Sequence, residues 1–346
     1  MAKLFFLISG EYESLSFAEL KAILEAEGYA YVVTEKLDQT VRLEADTTSI
    51  AQILRRSAYT RVCAQELFTS DGTDDAITKA AEDADFMLKE GETFEVRIRR
   101  IKEYSTKDDT MRLERKLGAQ ILQHSKGTNV NLKHPTKTFF GILTNHKLIF
   151  GVRLAEIQPK PFVERRPRKK PFFHPSAMNA KLARCMVNLA HARRDGTLLD
   201  PFCGTGTTVL EAALIGCRAV GADVQRRMAE GTRRNLARFG VSGEGVVIAD
   251  ARKLPFTKVD AVVTDPPYGK SATTLKTSTG VLVVNVLASA KFLLRKGQRI
   301  CIASPKTLQV AQLGTALGLK HIESHFAYVH RSLTREIAVF QKEDET

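Results

Sequence analysis

Apolar and polar positions change period several times along the chain, and each change marks an element. Over the first sixty residues the pattern predicts a strand at 3–9, a helix at 16–27, strands at 30–37 and 40–45, a helix at 47–57 and a strand at 59–67. The first helix is expected to start at Ser14 or Ser16, with Glu19 spaced for a capping box. A helix at 75–88, a strand at 93–100, a long helix at 110–124 and three strand-like runs follow. Beyond residue 175 the plan changes to a helix at 176–192 and short apolar strands at 197–200, 218–222, 246–249 and 261–264.

The β-α-β-β-α-β order of residues 1–65 is that of a ferredoxin-like domain. In the strand at 94–100 apolar and charged residues alternate, so one face is buried and the other presents Arg97 and Arg99. Asp108, Asp109 or Thr110 can cap the long helix, whose polar face holds Arg112, Arg115 and Lys116. Ion pairing with neighbouring acids such as Asp108 and Glu114 accounts for those cations as well as contact with a ligand does. Residues 158–171 are rich in proline and positive charge and read as a stiff linker, either a solvated tether or part of a polyanion path.

Each strand of the back half closes on an acid: Asp200, Asp223, Asp250 and Asp265. Strands and helices in alternation predict a Rossmann-like α/β sheet, and such sheets bind ligands at the carboxyl ends of their strands. The first strand leads into Pro201-Phe202-Cys203-Gly204-Thr205-Gly206-Thr207-Thr208, a glycine-rich turn opening a helix. Gly204 and Gly206 let the backbone approach a ligand, the helix start favours a carboxylate, and Asp200 accepts from an ammonium group. Asp223 is spaced to meet ribose hydroxyls and Asp250 an adenine amino group. S-adenosylmethionine carries all of these groups. The cofactor set read here is Phe173, His174, Asp200, Pro201, Cys203, Gly204, Thr205, Gly206, Thr207, Asp223, Val224, Asp250, Ala251 and Asp265.

The fourth strand ends in Asp265-Pro266-Pro267-Tyr268, which suits methylation of an exocyclic amine. An aromatic amine delocalises its lone pair into the ring, so a carboxylate and a backbone carbonyl must hold its two protons. The prolines stiffen the loop, and Tyr268 offers a ring on which an extruded base stacks. Alone, the tetrapeptide also fits a plain strand-to-turn junction. A nicotinamide dehydrogenase would share the glycine turn and the second-strand acid, yet leave Asp265–Tyr268 unexplained.

Composition narrows the partner. The 346 residues carry a formal net charge of +13, with +10 of it on residues 181–346, which points to a polyanion and to salt-sensitive binding. No apolar stretch approaches a membrane span, and the opening apolar run is too short for a signal peptide, so a cytoplasmic location is expected. Cys63, Cys185, Cys203, Cys217 and Cys301 lack metal-site spacing and are expected to be reduced. Cys203 reads as a small packing residue.

The segment 171–178 (Pro171-Phe172-Phe173-His174-Pro175-Ser176-Ala177-Met178), the D-P-F-C-G-T-G-T-T loop and D-P-P-Y-G together resemble the tRNA guanine-N2 methyltransferases, in the archaeal THUMP-containing form that modifies position ten. The resemblance implies a class I S-adenosylmethionine-dependent methyltransferase domain at 176–346. It also implies a ferredoxin-like domain at 1–65, a THUMP domain at 66–156 that includes the stretch 130–135, and a linker at 157–175. It makes Asp265, Pro266, Pro267 and Tyr268 catalytic and tRNA the partner, with Arg97, Arg99, Lys133, Arg166, Arg168, Lys169 and Lys170 as RNA contacts and no metal. It implies a monomeric catalytic chain, and leaves open one or two methyl additions and a small activating zinc-binding subunit, which some relatives require. His174 is open to a general-base role or simple hydrogen bonding. A sister family acting on position six shares the architecture, but its glycine loop usually differs from Phe202-Cys203-Gly204-Thr205. DNA adenine or cytosine amino-methyltransferases share the tetrapeptide, but carry a DNA recognition domain in place of the front half seen here. A protein glutamine methyltransferase would usually have Asn at position 265, and a silent tRNA-binding module would not need the cofactor acids.

Overall fold

A computed structural model describes residues 1–102, 107–243, 245–268, 279–331 and 333–344, without the side chains of 107–109, and the described residues form fifteen strands and ten α-helices. Two compact units result: Met1–Phe17, Tyr29–Leu54 and Thr60–Gln158 form one, and Ala18–Gly28, Arg55–Tyr59 and Pro159–Thr346 the other.

In chain order the front elements are β1 (Ala2–Ile8), α1 (Glu13–Ala26), β2 (Tyr31–Leu37), β3 (Thr40–Ala45), α2 (Ser49–Arg56) and β4 (Thr60–Asp71). After them come α3 (Asp74–Glu82), β5 (Thr93–Arg100), α4 (Lys107–His124), β6 (Asn129–Val130), β7 (Lys137–Thr144) and β8 (Lys147–Glu156). The first unit holds one eight-stranded sheet in the order β2-β3-β1-β4-β8-β7-β5-β6. β1 lies antiparallel between β3 and β4, and β4 pairs antiparallel with β8. β4 runs on to Asp71, past the expected end at 67, because β8 offers it a partner along that length. Gly151 permits this pairing: a Cβ there would stand 1.8 Å from the Gln65 carbonyl oxygen. Phe94, Phe139 and Phe150 pack with Leu117 and Ile121 of α4 on one face, while Phe5 stacks on Phe140 at 6.2 Å.

Three local expectations change. The helix expected over 75–88 stops at Glu82, where Asp85 accepts from the Met87 N–H in a turn and Phe86 enters the core edge-on to Phe139. Thr110 lies inside α4 and does not cap it, since that helix begins at Lys107; caps at Asp108 or Asp109 concern side chains outside the described residues. Glu19 forms no capping box. Its buried carboxylate accepts from the Ser57 hydroxyl, the Ala58 and Tyr59 N–H groups and the Asn188 amide instead.

The second unit adds α5 (Lys160–Glu164), α6 (Ala180–Leu189), β9 (Thr197–Asp200), α7 (Thr207–Leu214), β10 (Arg218–Asp223), α8 (Arg226–Arg238), β11 (Val246–Ile248) and β12 (Ala261–Thr264). Then come α9 (Thr279–Leu293), β13 (Arg299–Pro305), α10 (Val310–Ala316), β14 (Leu319–His330) and β15 (Leu333–Lys342). Their sheet runs β11-β10-β9-β12-β13-β15-β14, parallel through β13 and antiparallel in the last two strands. Leu199, Val262, Ile300 and Phe340 pack with Val283, Leu287 and Leu293 of α9, and Val209, Leu210, Ala229 and Leu236 of α7 and α8 form a separate cluster.

α6 is shorter than the helix expected at 176–192, because Asn179 caps it by accepting from the Lys181 N–H. The proline-rich segment is folded as α5 and a 3₁₀ turn over Pro167–Lys169. Arg165 leaves this segment to grip Glu211 of α7 through Nε–Oε1 at 2.6 Å and Nη2–Oε2 at 3.1 Å, and Arg184 of α6 meets Oε2 at 2.8 Å. Among the described residues no helix is long and apolar enough to cross a membrane.

Candidate active site

Strand β9 delivers Asp200 to the carboxyl edge of the parallel sheet, where the chain must turn at once into α7. The turn works because Gly204 (φ 50°) and Gly206 (φ 75°) take left-handed conformations. Space forbids a larger residue at 206 as well, since a Cβ would lie 2.5 Å from Thr232 Cγ2. Gly206→Ala is therefore expected to weaken S-adenosylmethionine binding at least tenfold by calorimetry, with a strain of about 1–2 kcal/mol in the turn.

Asp200 is 3% exposed and accepts from Thr264 Oγ1 at 2.9 Å and the Phe202 N–H at 3.1 Å. Burial pushes its carboxyl up to about 7, against those hydrogen bonds, and the charge of Asp265 adds to the rise. Asp223 ends β10 and accepts from the Gly204 N–H at 3.1 Å and the Gln225 N–H at 2.9 Å, which ties the second strand to the glycine loop. Burial raises its carboxyl too.

Asp265 follows β12, the neighbour of β9, so its side chain stands on the same edge as Asp200. Its Oδ2 accepts from Arg335 Nη2 at 2.9 Å, while its buried Oδ1 has no hydrogen-bond partner among the described residues. Burial raises this carboxyl, and the Arg335 charge and the Tyr268 hydroxyl oppose the rise. Arg335 Nε also donates to the Tyr268 hydroxyl. A polar acceptor left unpaired in a buried place is costly unless a ligand meets it.

A cleft brings together Asp200, Asp265, His174, Cys203, Gly204, Thr205 and Thr207 from the expected set, with Ser176, Met178, Phe202, Thr208 and Met228 in addition. Phe173, Pro201, Gly206, Asp223, Val224, Asp250 and Ala251 do not line it. Asp250 is engaged by Arg252, whose hydrogen bonds hold the carboxyl below its usual range. His174 Nδ1 and Ser176 Oγ are 2.7 Å apart. Cys203 is buried, 3.8 Å from Thr232 Oγ1, and burial pushes its thiol well above the ordinary range, which fits a packing residue.

Arg97, Arg99, Lys133, Arg166, Arg168 and Lys169 are exposed, Arg97 beside Glu95 and Arg168 over the Phe173 ring. Lys170, expected with these surface cations, is 6% exposed and donates to Thr207 Oγ1 at 2.7 Å; burial lowers its ammonium to about 8. Gly269, which ends the D-P-P-Y-G motif, lies outside the described residues. Sequence reasoning missed Arg335, Met228 and the Arg165–Glu211–Arg184 cluster. Asn235, which accepts from the Phe172 N–H and donates to the Phe172 and Thr205 carbonyls, was missed too. None of these carries a local motif.

A glycine loop after the first parallel strand, an acid closing the second and D-P-P-Y after the strand beside the first define an S-adenosylmethionine-dependent amino-methyltransferase. A family model described as "RMKL-like, methyltransferase domain" matches residues 167–336. A DNA methylase model matches 64–234, a span that stops short of Asp265. The chain is 38% identical to the tRNA (guanine(10)-N2)-dimethyltransferase of Methanothermobacter thermautotrophicus over 340 residues, 97% of this chain and 98% of that one. It is 28% identical to the enzyme of the same name from Methanocaldococcus jannaschii, over 97% of this chain and 99% of the other. Among solved structures, TrmN from Thermus thermophilus has the same fold, with a TM-score of 0.54 and 22% identity over 98% of this chain and 99% of that one. SMU.472, solved with SAH, gives 0.53 and 14% identity over 100% and 99%. This chain belongs to the family of tRNA (guanine(10)-N2)-dimethyltransferases.

Proposed function

We propose that the chain methylates the exocyclic 2-amino group of the guanosine at position ten of tRNA. Likeness to the Methanothermobacter enzyme along nearly all of both chains supports the substrate. The observation that carries the chemistry is the buried Oδ1 of Asp265, which has no hydrogen-bond partner among the described residues and belongs to a side chain lining the cleft with Asp200.

The residues present fit S-adenosylmethionine: Asp200 is a buried acceptor for its ammonium group, and the backbone of the glycine loop and the start of α7 suit its carboxylate. When bound, it supplies a methyl group already activated by the sulfonium. The target base flips into the site and stacks on Tyr268. Asp265 Oδ1 and the Pro266 carbonyl accept hydrogen bonds from its two N–H groups, drawing the nitrogen lone pair out of the ring, and the proton the nitrogen loses on methylation passes to solvent. Pro267 stiffens the loop that holds them. Positioning supplies most of the rate. After one methylation a single N–H remains, so a second round needs only one of the two acceptors and room for the first methyl beside the other.

The strand order β2-β3-β1-β4 with α1 and α2 supports a ferredoxin-like domain at 1–65, and β5–β8 with α3 and α4 a THUMP domain at 66–156. The joining segment is 157–175, which packs on the catalytic domain at 176–346 through Arg165, Lys170 and Phe172. Exposure supports RNA contact by Arg97, Arg99, Lys133, Arg166, Arg168 and Lys169; Lys170 belongs instead with the cofactor loop. The chain acts in the cytoplasm as a monomeric catalytic subunit.

Incubating the purified chain alone with unmodified tRNA and S-adenosylmethionine, then mapping nucleosides by mass spectrometry, tests the proposal. N2-methylated guanosine at position ten is expected, the methyl count distinguishes one addition from two, and activity without added protein excludes a required subunit. Modification at position six in place of position ten would overturn it.

The raised carboxyl of Asp200 gives a pH prediction. Only the ionised form pairs with the cofactor ammonium, so affinity should weaken as pH falls below about 7, by up to about tenfold per unit. Calorimetry near pH 6 should show proton release on binding, and Asp200→Asn should bind weakly with no such pH dependence.

A further inference from the structure

We propose that Arg335 is a positioning residue of the methyl-transfer site, clamping Asp265 through Oδ2 and Tyr268 through its hydroxyl so that one carboxylate oxygen faces the target amine. The inference rests on the reading that Asp265 receives that amine.

Arg335 comes from β15, the antiparallel strand beside β13, with its partners seventy and sixty-seven positions away in sequence. Its side chain is 12% exposed and that of Asp265 17%, so solvent screens the pair little. A guanidinium is planar and always charged, and its separate N–H groups can bridge two acceptors in one geometry. Here Nη2 reaches the carboxylate and Nε the phenol, with the guanidinium carbon 5.8 Å from the Tyr268 ring centre.

The clamp does three things. One lone pair of Oδ2 is engaged and the guanidinium stands beside it, which disfavours a coplanar grip on the adjacent N1–H and N2–H of guanine and leaves Oδ1 as the open acceptor for the amino group. Positive charge beside the carboxylate opposes the burial that would protonate it, and a protonated Oδ1 would accept poorly. The phenol is held at its rim, which fixes the plane of the ring on which the base stacks. Other titratable groups around Asp265 are Asp200 at the end of β9, Tyr268 in its own loop and His174, which lines the same cleft. Among these four residues Arg335 alone carries a permanent positive charge.

Rates for Arg335→Gln, Arg335→Lys and Tyr268→Phe, measured with tRNA from pH 5 to 9 beside S-adenosylmethionine affinity by calorimetry, test the role. Arg335→Gln should bind cofactor within about twofold of wild type and lose about a hundredfold in kcat. The acid limb of its pH–rate profile should move to higher pH, since the carboxyl then titrates without its cation. Arg335→Lys should return the limb toward wild type with partial recovery of kcat, because an ammonium supplies charge but cannot span both partners. Tyr268→Phe should lower kcat and move the limb less than Arg335→Gln does, because the hydroxyl also holds the carboxyl down but carries no charge. If Arg335→Gln keeps the wild-type limb, or Tyr268→Phe shifts it equally, the inference is overturned. Asp265→Ala run alongside separates the two levels: turnover surviving that change would remove the catalytic reading itself, whereas a dead Asp265→Ala with an unmoved Arg335→Gln limb would remove only the clamp.

Discussion

Asp265→Ala is expected to lower kcat by about a thousandfold while leaving S-adenosylmethionine binding within a few-fold of wild type. The reason lies in the two oxygens: Oδ2 is held by Arg335, and Oδ1 is buried with no partner among the described residues. Truncation removes the acceptor that makes the amine nucleophilic, yet leaves Asp200, the glycine loop and Thr207 around the cofactor cleft. Single-turnover assays with saturating tRNA read the chemical step directly. Turnover near that of the wild type, with cofactor bound, would refute the role given to this carboxylate. Asp265→Asn should fall between, since an amide oxygen still accepts but carries no charge.

Glu211→Ala carries the largest expected effect on stability. Glu211 is fully buried, and both Arg165 and Arg184 end on its carboxylate. Deleting it strands two guanidinium groups where water scarcely reaches, at a cost of about 3–5 kcal/mol. The melting temperature should fall by on the order of ten degrees. Glu211 stands on α7 behind the glycine loop, so calorimetry should also show weaker cofactor binding. Replacement of all three residues by apolar side chains of similar volume should recover much of the stability, because it removes the stranded charges along with their partner. A single variant as stable as wild type by urea unfolding would show that the cluster is not the fastener it is taken to be.

Local pattern disclosed much of this site. Asp200, Gly204, Gly206 and Asp265 lie in short continuous motifs whose neighbours dictate a strand end or a turn, and the structure sets them on one edge of the sheet. Asp250 illustrates the limit. Its position after β11 was legible, but its engagement by Arg252, two residues on, was not, because strand periodicity says nothing of where a loop side chain turns. Lys170 sits in a run of exposed cations and is buried only because Thr207 and the Arg165–Glu211 pair gather around it. Glu19 had capping spacing, yet a distant set of donors at Ser57, Ala58, Tyr59 and Asn188 competes better for its carboxylate. Arg335 left no local trace at all. Its role depends on β15 entering the sheet beside β13, a pairing that strand periodicity does not specify.

That entry also orders events during synthesis. β14 leaves the ribosome before β15, yet in the finished sheet β15 lies inside it and β14 outside. Until the later strand arrives, β13 keeps an open flank, β14 lacks the strand it pairs with, and Asp265 lacks its cation. A nascent chain halted after residue 331 lacks Arg335, so Asp265 and Tyr268 receive their shared cation only with the last strand of the sheet to be made.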